Sequence, residues 1–228
     1  MTDQPEQVGA VLQSTLAAMK PFQLSPEREV ALQRDRQDQE ERQRLIQYHT
    51  LLKEACVPER HRKLISPAVL KEGNLWSESY ARMRDKIGQG FLAAFLGPRG
   101  TGKTQMAVCL IDDACRNNRT ARYVKALDLF RELRATFRDD GENELSVVRR
   151  FRKYHLLVID EAHERGNTDF ESRTLTNIID HRYDDAKDTV LISNDSLQAF
   201  AAAIGPSIVD RLNETGEAIE FDWPSYRE

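Results

Sequence analysis

Cysteine is scarce, with Cys56, Cys109 and Cys115 the only three in 228 residues. Their spacing fits neither a zinc site nor a disulfide framework, which points to reduced thiols and a cytoplasmic setting. Long apolar runs are missing as well. No stretch reaches the roughly 18 apolar residues of a membrane span. The apolar patch at residues 8–19 follows Asp3 and Glu6 rather than a basic leader, so neither an anchor nor a secretion signal is expected. Positive charge is not in excess: 33 Lys and Arg face 37 Asp and Glu, for a net charge of −4. That balance argues against a protein that coats nucleic acid indiscriminately. Residues 119–153 nevertheless hold ten basic against six acidic side chains, so any contact with DNA must be local.

A 40% hydrophobic share is enough for one well-cored domain with a smaller appendage. Its clearest signal is a buried-strand pattern at residues 91–96 that runs into Gly97, Pro98, Arg99, Gly100, Thr101, Gly102, Lys103 and Thr104. This is the phosphate-binding pattern G-x-x-x-x-G-K-[ST]. The glycines let successive backbone N–H groups face a polyphosphate, and the helix that follows turns its positive end to the same charge. Lys103 is expected to reach the β- and γ-phosphates of ATP, and Thr104 to offer its hydroxyl to Mg²⁺. Met106, Ala107, Leu110 and Ile111 supply the helical pattern that the motif requires on its far side.

A second anchor lies at residues 154–161, an apolar run that delivers Asp160 and Glu161 at the C-terminal end of a buried strand. Paired with the phosphate loop it reads as a Walker B segment. Asp160 is expected at the Mg²⁺ shell, with Glu161 orienting or deprotonating the attacking water. Residues 160–163 also spell the DEAH helicase box, but the chain is too short for two helicase motor domains.

Ahead of these motifs, apolar Val8, Leu12, Leu16 and Met19 make a helical stripe, and Ser25-Pro26 is a cap-and-proline helix start. A long polar helix is expected from there to about residue 55. Residues 33–44 are all polar, with Asp38–Arg42 and Glu40–Arg44 at the stabilising spacing. Such a helix is a solvated spacer or an arm for a partner. The boundary is placed so that residues 1–65 form a helical partner-binding region and residues 66–228 the catalytic domain. Within the latter, a strand at 122–125, a helix at 126–138, a helix opened by the Thr168–Glu171 capping box, a strand at 188–194 and an edge strand at 218–221 predict alternation. The fold class is therefore α/β, with a mostly parallel sheet flanked by helices.

The ordered set of phosphate loop, Asp160-Glu161, a strand ending in Asn194, and Arg211 resembles the AAA+ P-loop NTPases. Within them the chain looks like the DnaC-type replicative helicase loaders, with the IstB transposition ATPases as relatives. Three further stretches carry the likeness: residues 55–60 (ACVPER), residues 178–182 (IIDHR) and the ending IEFDWPSYR at 219–227. The resemblance implies that Asn194 positions the attacking water and that Arg211 is an arginine finger inserted into a neighbour's ATP site, so self-association is expected. Read without the family, Asn194 caps the next helix and Arg211 pairs with Asp210. Seventeen residues follow Arg211 in this sequence, too few for a C-terminal lid domain, so hydrolysis is expected to depend on assembly or DNA. Arg131, Arg134 and Arg138 form a row where initiator-type relatives face single-stranded DNA, or else a solvated face.

The function implied is an ATP-dependent loader. Its N-terminal region binds the replicative hexameric helicase, delivers it to single-stranded DNA, and uses hydrolysis as the release switch. The alternative is an IstB-like transposition helper that assembles on DNA and recruits a transposase. A small-molecule kinase fits less well, because Asp160-Glu161 is an arrangement that activates water. A nucleotide-bound adaptor that does not hydrolyse is the remaining class.

Overall fold

The computed structural model describes residues 25–63, 75–136, 143–164 and 168–225. The apolar stripe at 8–19, Phe137, Arg138, Tyr226 and Arg227 lie outside these residues. The first helix, α1 (Pro26–Glu54), starts where the cap-and-proline pair places it, with the Ser25 carbonyl accepting from the Arg28 and Glu29 N–H groups at 2.9 and 3.0 Å. Contacts divide the chain into Met1–Leu45 and Ile46–Glu228. In the first unit every described residue is exposed, the polar run at 33–44 and the apolar Val30, Leu32 and Leu45 alike.

The second unit begins within the last turns of α1. Leu52, Ala55 and Val57 are buried in its core, because apolar residues return to one helix face after the polar middle. A four-residue helix α2 (Glu59–Arg62) and α3 (Leu75–Asp85) precede a sheet of five strands. These are β1 (Leu92–Leu96), β2 (Ala121–Lys125), β3 (Leu156–Asp160), β4 (Asp188–Ile192) and β5 (Glu217–Glu220), in the order β2-β3-β4-β1-β5. All the pairings are parallel, so the sheet is parallel throughout.

Between the strands run α4 (Lys103–Arg116), α5 (Ala126–Ala135), α6 (Glu144–Lys153), α7 (Asp169–Asp184), α8 (Leu197–Ile204) and α9 (Pro206–Thr215). The strands alternate between two apolar layers. Along β1, Ala93 and Phe95 join a core with α3 and α4, while Leu92, Ala94 and Leu96 join a second core with α5 to α9. Both faces are covered, which is why the strands read as continuous apolar runs. Asp188, at the start of β4, accepts from the Gly88, Gly90 and Phe91 N–H groups at 2.6, 2.8 and 3.3 Å and so clasps the turn that enters β1. Burial pushes that carboxyl up, and the three N–H donors offset only part of the rise.

Helix α6 is one of the elements that the sequence pattern did not reveal. Its N-cap, Asn143, accepts from the Ser146 N–H at 2.8 Å, and Val147, Val148 and Phe151 are buried. The charges of Arg149, Arg150, Arg152 and Lys153 hide that short stripe.

Candidate active site

The C-terminal ends of β1, β3 and β4 lie side by side, so the sheet itself gathers the motifs that are far apart in sequence. From β1 the chain enters the phosphate loop through Gly97, at φ 120°, where a Cβ would stand 2.6 Å from the Phe221 carbonyl oxygen. Gly100 and Gly102 are also left-handed, at φ 88° and 91°, which gives the curl its concave side. Lys103 is buried, and its Nζ donates to the Gly97 and Pro98 carbonyls at 2.6 Å each, so the ammonium sits inside the loop. Two indoles hold the outside: Trp76 Nε1 donates to the Gly102 carbonyl at 3.1 Å and Trp223 Nε1 to the Thr101 carbonyl at 2.9 Å.

Thr104 Oγ1 donates to Asp160 Oδ2 at 2.9 Å, which joins the two motifs directly. The same carboxylate oxygen accepts from the Tyr123 hydroxyl at 2.6 Å, and Oδ1 accepts from the Glu161 N–H at 2.8 Å. Burial, and then the Asp160 charge, push the Tyr123 phenol up, so it stays a donor. A hydroxyl and a carboxylate are hard oxygen donors, the set that suits Mg²⁺ when substrate phosphates complete the shell. No larger His, Cys, Asp and Glu cluster exists among the described residues.

Glu161 has φ 56°, a left-handed backbone in a non-glycine residue that it shares with Cys56, Asn118 and Ala186 among the described residues. Its carboxylate is 2.9 Å from the Lys125 ammonium, the residue in register with Asp160 on the neighbouring strand. That pairing raises the affinity of Lys125 for its proton. Asn194 follows β4 and is partly buried. It is not the cap of α8, because Ser196 Oγ accepts from the Ala199 N–H there. Its own N–H points to His163 Nδ1 at 3.5 Å, and His163 Nε2 lies 3.7 Å from Glu164, which pairs with Arg99 at 3.3 Å.

Arg211 lies away from this cluster. It pairs with Asp180 at 3.1 Å rather than with Asp210, donates to the Ser207 carbonyl at 2.9 Å, and lies over the Tyr183 ring at 5.4 Å. Arg131 is 72% exposed and Arg134 is ion-paired with the buried Glu171, so the row of arginines is split between solvent and structure. Tyr123, Lys125 and His163 escaped the sequence reading as site residues. Strand adjacency is the signal that would have found the first two, since β2 carries them to the edge of β3.

Five parallel strands in this order, with the phosphate loop after β1 and the acidic pair after β3, define the AAA+ class of P-loop NTPases. The chain belongs to the family of IstB-like ATP binding proteins, which it matches over residues 83–228. It is 25% identical over 159 residues to the replicative helicase loader DnaC of Escherichia coli (strain K12). That match covers 68% of this chain and 65% of the loader. An uncharacterized Escherichia coli protein, YdaV, is 27% identical over 218 residues, or 93% of this chain and 86% of that protein. Among solved structures the fold is similar to the DnaC helicase loader, with a TM-score of 0.61 and 19% identity over 72% of this chain and 99% of that one. It is also similar to the replication initiator DnaA bound to AMPPCP and single-stranded DNA, with a TM-score of 0.60 and 18% identity over 74% of this chain and 52% of that one.

Proposed function

We propose that this chain is an ATP-switched loader that binds a ring helicase and delivers it to single-stranded DNA. The observation that carries the reading is the join between Thr104 and Asp160 at the mouth of a curled phosphate loop, with Glu161 on the next residue. Lys103 and the loop N–H groups bind the β- and γ-phosphates of ATP, and Thr104 with Asp160 hold Mg²⁺. When bound, the ion neutralises charge on the phosphate oxygens. Glu161, once released from Lys125, accepts the proton of the attacking water, and Asn194 orients that water. Arg211 completes a neighbouring subunit's site, which makes turnover depend on self-association.

The similarity to the DnaC loader supports the helicase as client. The exposed first unit supports an arm rather than a spacer: Val30 and Leu32 are 47% and 42% exposed, and Leu45 is 55% exposed. Apolar side chains left in water on a long helix are what a partner covers. Arg131, 72% exposed and paired at 3.3 Å with the exposed Asp128 one turn away, can exchange that carboxylate for a DNA phosphate, whereas Arg134 is committed to the buried Glu171.

The family match to IstB-like proteins favours one other client, a transposase, on the same ATP machinery. Light scattering after size exclusion separates the two. The full chain is mixed with the replicative hexameric helicase, with and without ATP and Mg²⁺. A stable co-complex, lost on deleting residues 1–45, is the expected result. No complex in any nucleotide state would move the client to a transposase.

A further inference from the structure

The chain has two tryptophans, and both end on consecutive peptide units of the phosphate loop. They arrive from opposite sides in sequence, Trp76 on α3 ahead of β1 and Trp223 in the segment after β5. Each indole is fixed by packing that does not involve the loop. Trp76 is 2% exposed and packs on Tyr80 at 5.5 Å between ring centres, while the Tyr80 hydroxyl donates to Asp113 of α4 at 2.5 Å. Trp223 packs on Phe221 at 4.7 Å, and Phe221 in turn on Phe95 of β1 at 5.5 Å. Such rings lose little freedom when they bond, because their rotamers are already set.

What the indoles hold follows from peptide geometry. There is no cis peptide among the described residues, and in a trans peptide the carbonyl and the N–H point to opposite sides. An indole that fixes the Thr101 carbonyl outward therefore turns the Gly102 N–H inward. The Trp76 bond to the Gly102 carbonyl does the same for the Lys103 N–H. Gly102, at φ 91°, is the residue around which these two units could otherwise swing, since glycine has no Cβ to resist. The Gly102 carbonyl also accepts from the Met106 N–H at 2.9 Å, the first bond of α4, so one carbonyl ties the loop to both the indole and the helix.

We infer that Trp76 and Trp223 are positioning residues of the phosphate site, holding the Gly102 and Lys103 N–H groups toward the polyphosphate before it binds. The inference rests on reading the loop as an ATP site. It adds that affinity for the phosphate chain depends on two N–H donors that never touch the ligand, because a preorganised nest of donors avoids the cost of ordering on binding.

Because two tryptophans are all the chain has, one global replacement tests both. Benzothienylalanine puts sulfur where each indole N–H stood and keeps the ring shape, and 7-azatryptophan keeps the N–H as a control. The readout is the Kd for ATP and for inorganic tripolyphosphate by calorimetry, with the unliganded melting temperature alongside. The benzothienylalanine protein should bind both ligands more weakly by about three- to tenfold per lost donor, and the azatryptophan protein should match the parent. Equal affinity in the two replaced proteins overturns the inference, as does a loss for ATP that is absent for tripolyphosphate. A lower melting temperature with unchanged Kd assigns the indoles to packing alone and overturns it too. Should the replaced chain not fold, W76F and W223F, each with one indole left, give the same comparison. A parent that binds neither ligand overturns the ATP reading itself, and this inference with it.

Discussion

Arg182 is fully buried, and its guanidinium holds together the start of the Walker B strand. Nη1 donates to the carbonyls of Phe151, Arg152 and Tyr154 at 2.9, 3.3 and 2.8 Å, which are end groups of α6 without helical partners. Nε donates to Thr189 Oγ1 at 2.9 Å, and Nη2 to the Asp188 carbonyl. Burial pushes the group down to about 9, so it remains a cation at neutral pH, well placed at a helix C-terminus. Arg182→Met keeps the stem and removes every donor. A buried acceptor stripped of its donor costs about 1–3 kcal/mol. Relief of guanidinium burial offsets part of that, so the net loss should be about 3–5 kcal/mol, as for other broken buried charge networks. With a slope of about 2 kcal/mol per M, the urea midpoint should fall by roughly 2 M. Arg182→Lys, with three donors in place of five, should fall between. A midpoint within about 0.3 M of the parent for Arg182→Met would refute the reasoning.

Arg211→Ala should leave ATP affinity of the isolated chain unchanged and lower turnover of the assembled protein by about a thousandfold, measured as phosphate release. Asp180→Asn, which frees Arg211 without removing it, should keep that turnover. Tyr123→Phe removes one of the two hydroxyls on Asp160 Oδ2, so the Mg²⁺ concentration for half-maximal turnover should rise about tenfold, while ATP binding in EDTA holds. His155 is kept below the ordinary histidine range by burial and by Lys187, Arg119 and Arg182, with Asp188 opposing them. The unfolded chain then takes up a proton near pH 6.5 that the folded chain resists, so stability should fall as pH drops through 6.5 and below. His155→Gln should flatten the melting temperature between pH 7.5 and 5.5.

The phosphate loop and the acidic pair were legible because their chemistry is local: a strand, a curl of glycines and a helix occupy consecutive residues. The same holds for the Thr168 cap, whose hydroxyl accepts from the Glu171 N–H as its spacing requires. Partners set by the sheet were not legible. Lys125 reaches Glu161 because β2 lies beside β3, and nothing in the order of the chain reveals that neighbour. The bonds from Trp76 and Trp223 to the phosphate loop were not legible either, since they span 26 and 122 residues. The polar run before residue 45 is plain in the sequence, but that Leu52 and Ala55 pack into the catalytic core depends on what the rest of the chain builds around them.

In the proposed reaction Glu161 activates water at a site where Lys103 binds ATP. The most direct measurement is phosphate release by the parent, Glu161→Gln and Lys103→Ala, with ATP binding followed by calorimetry on the same samples. Glu161→Gln should bind ATP as the parent does and lose at least about a hundredfold in turnover, and Lys103→Ala should lose binding as well. Turnover by Glu161→Gln equal to the parent would contradict the account.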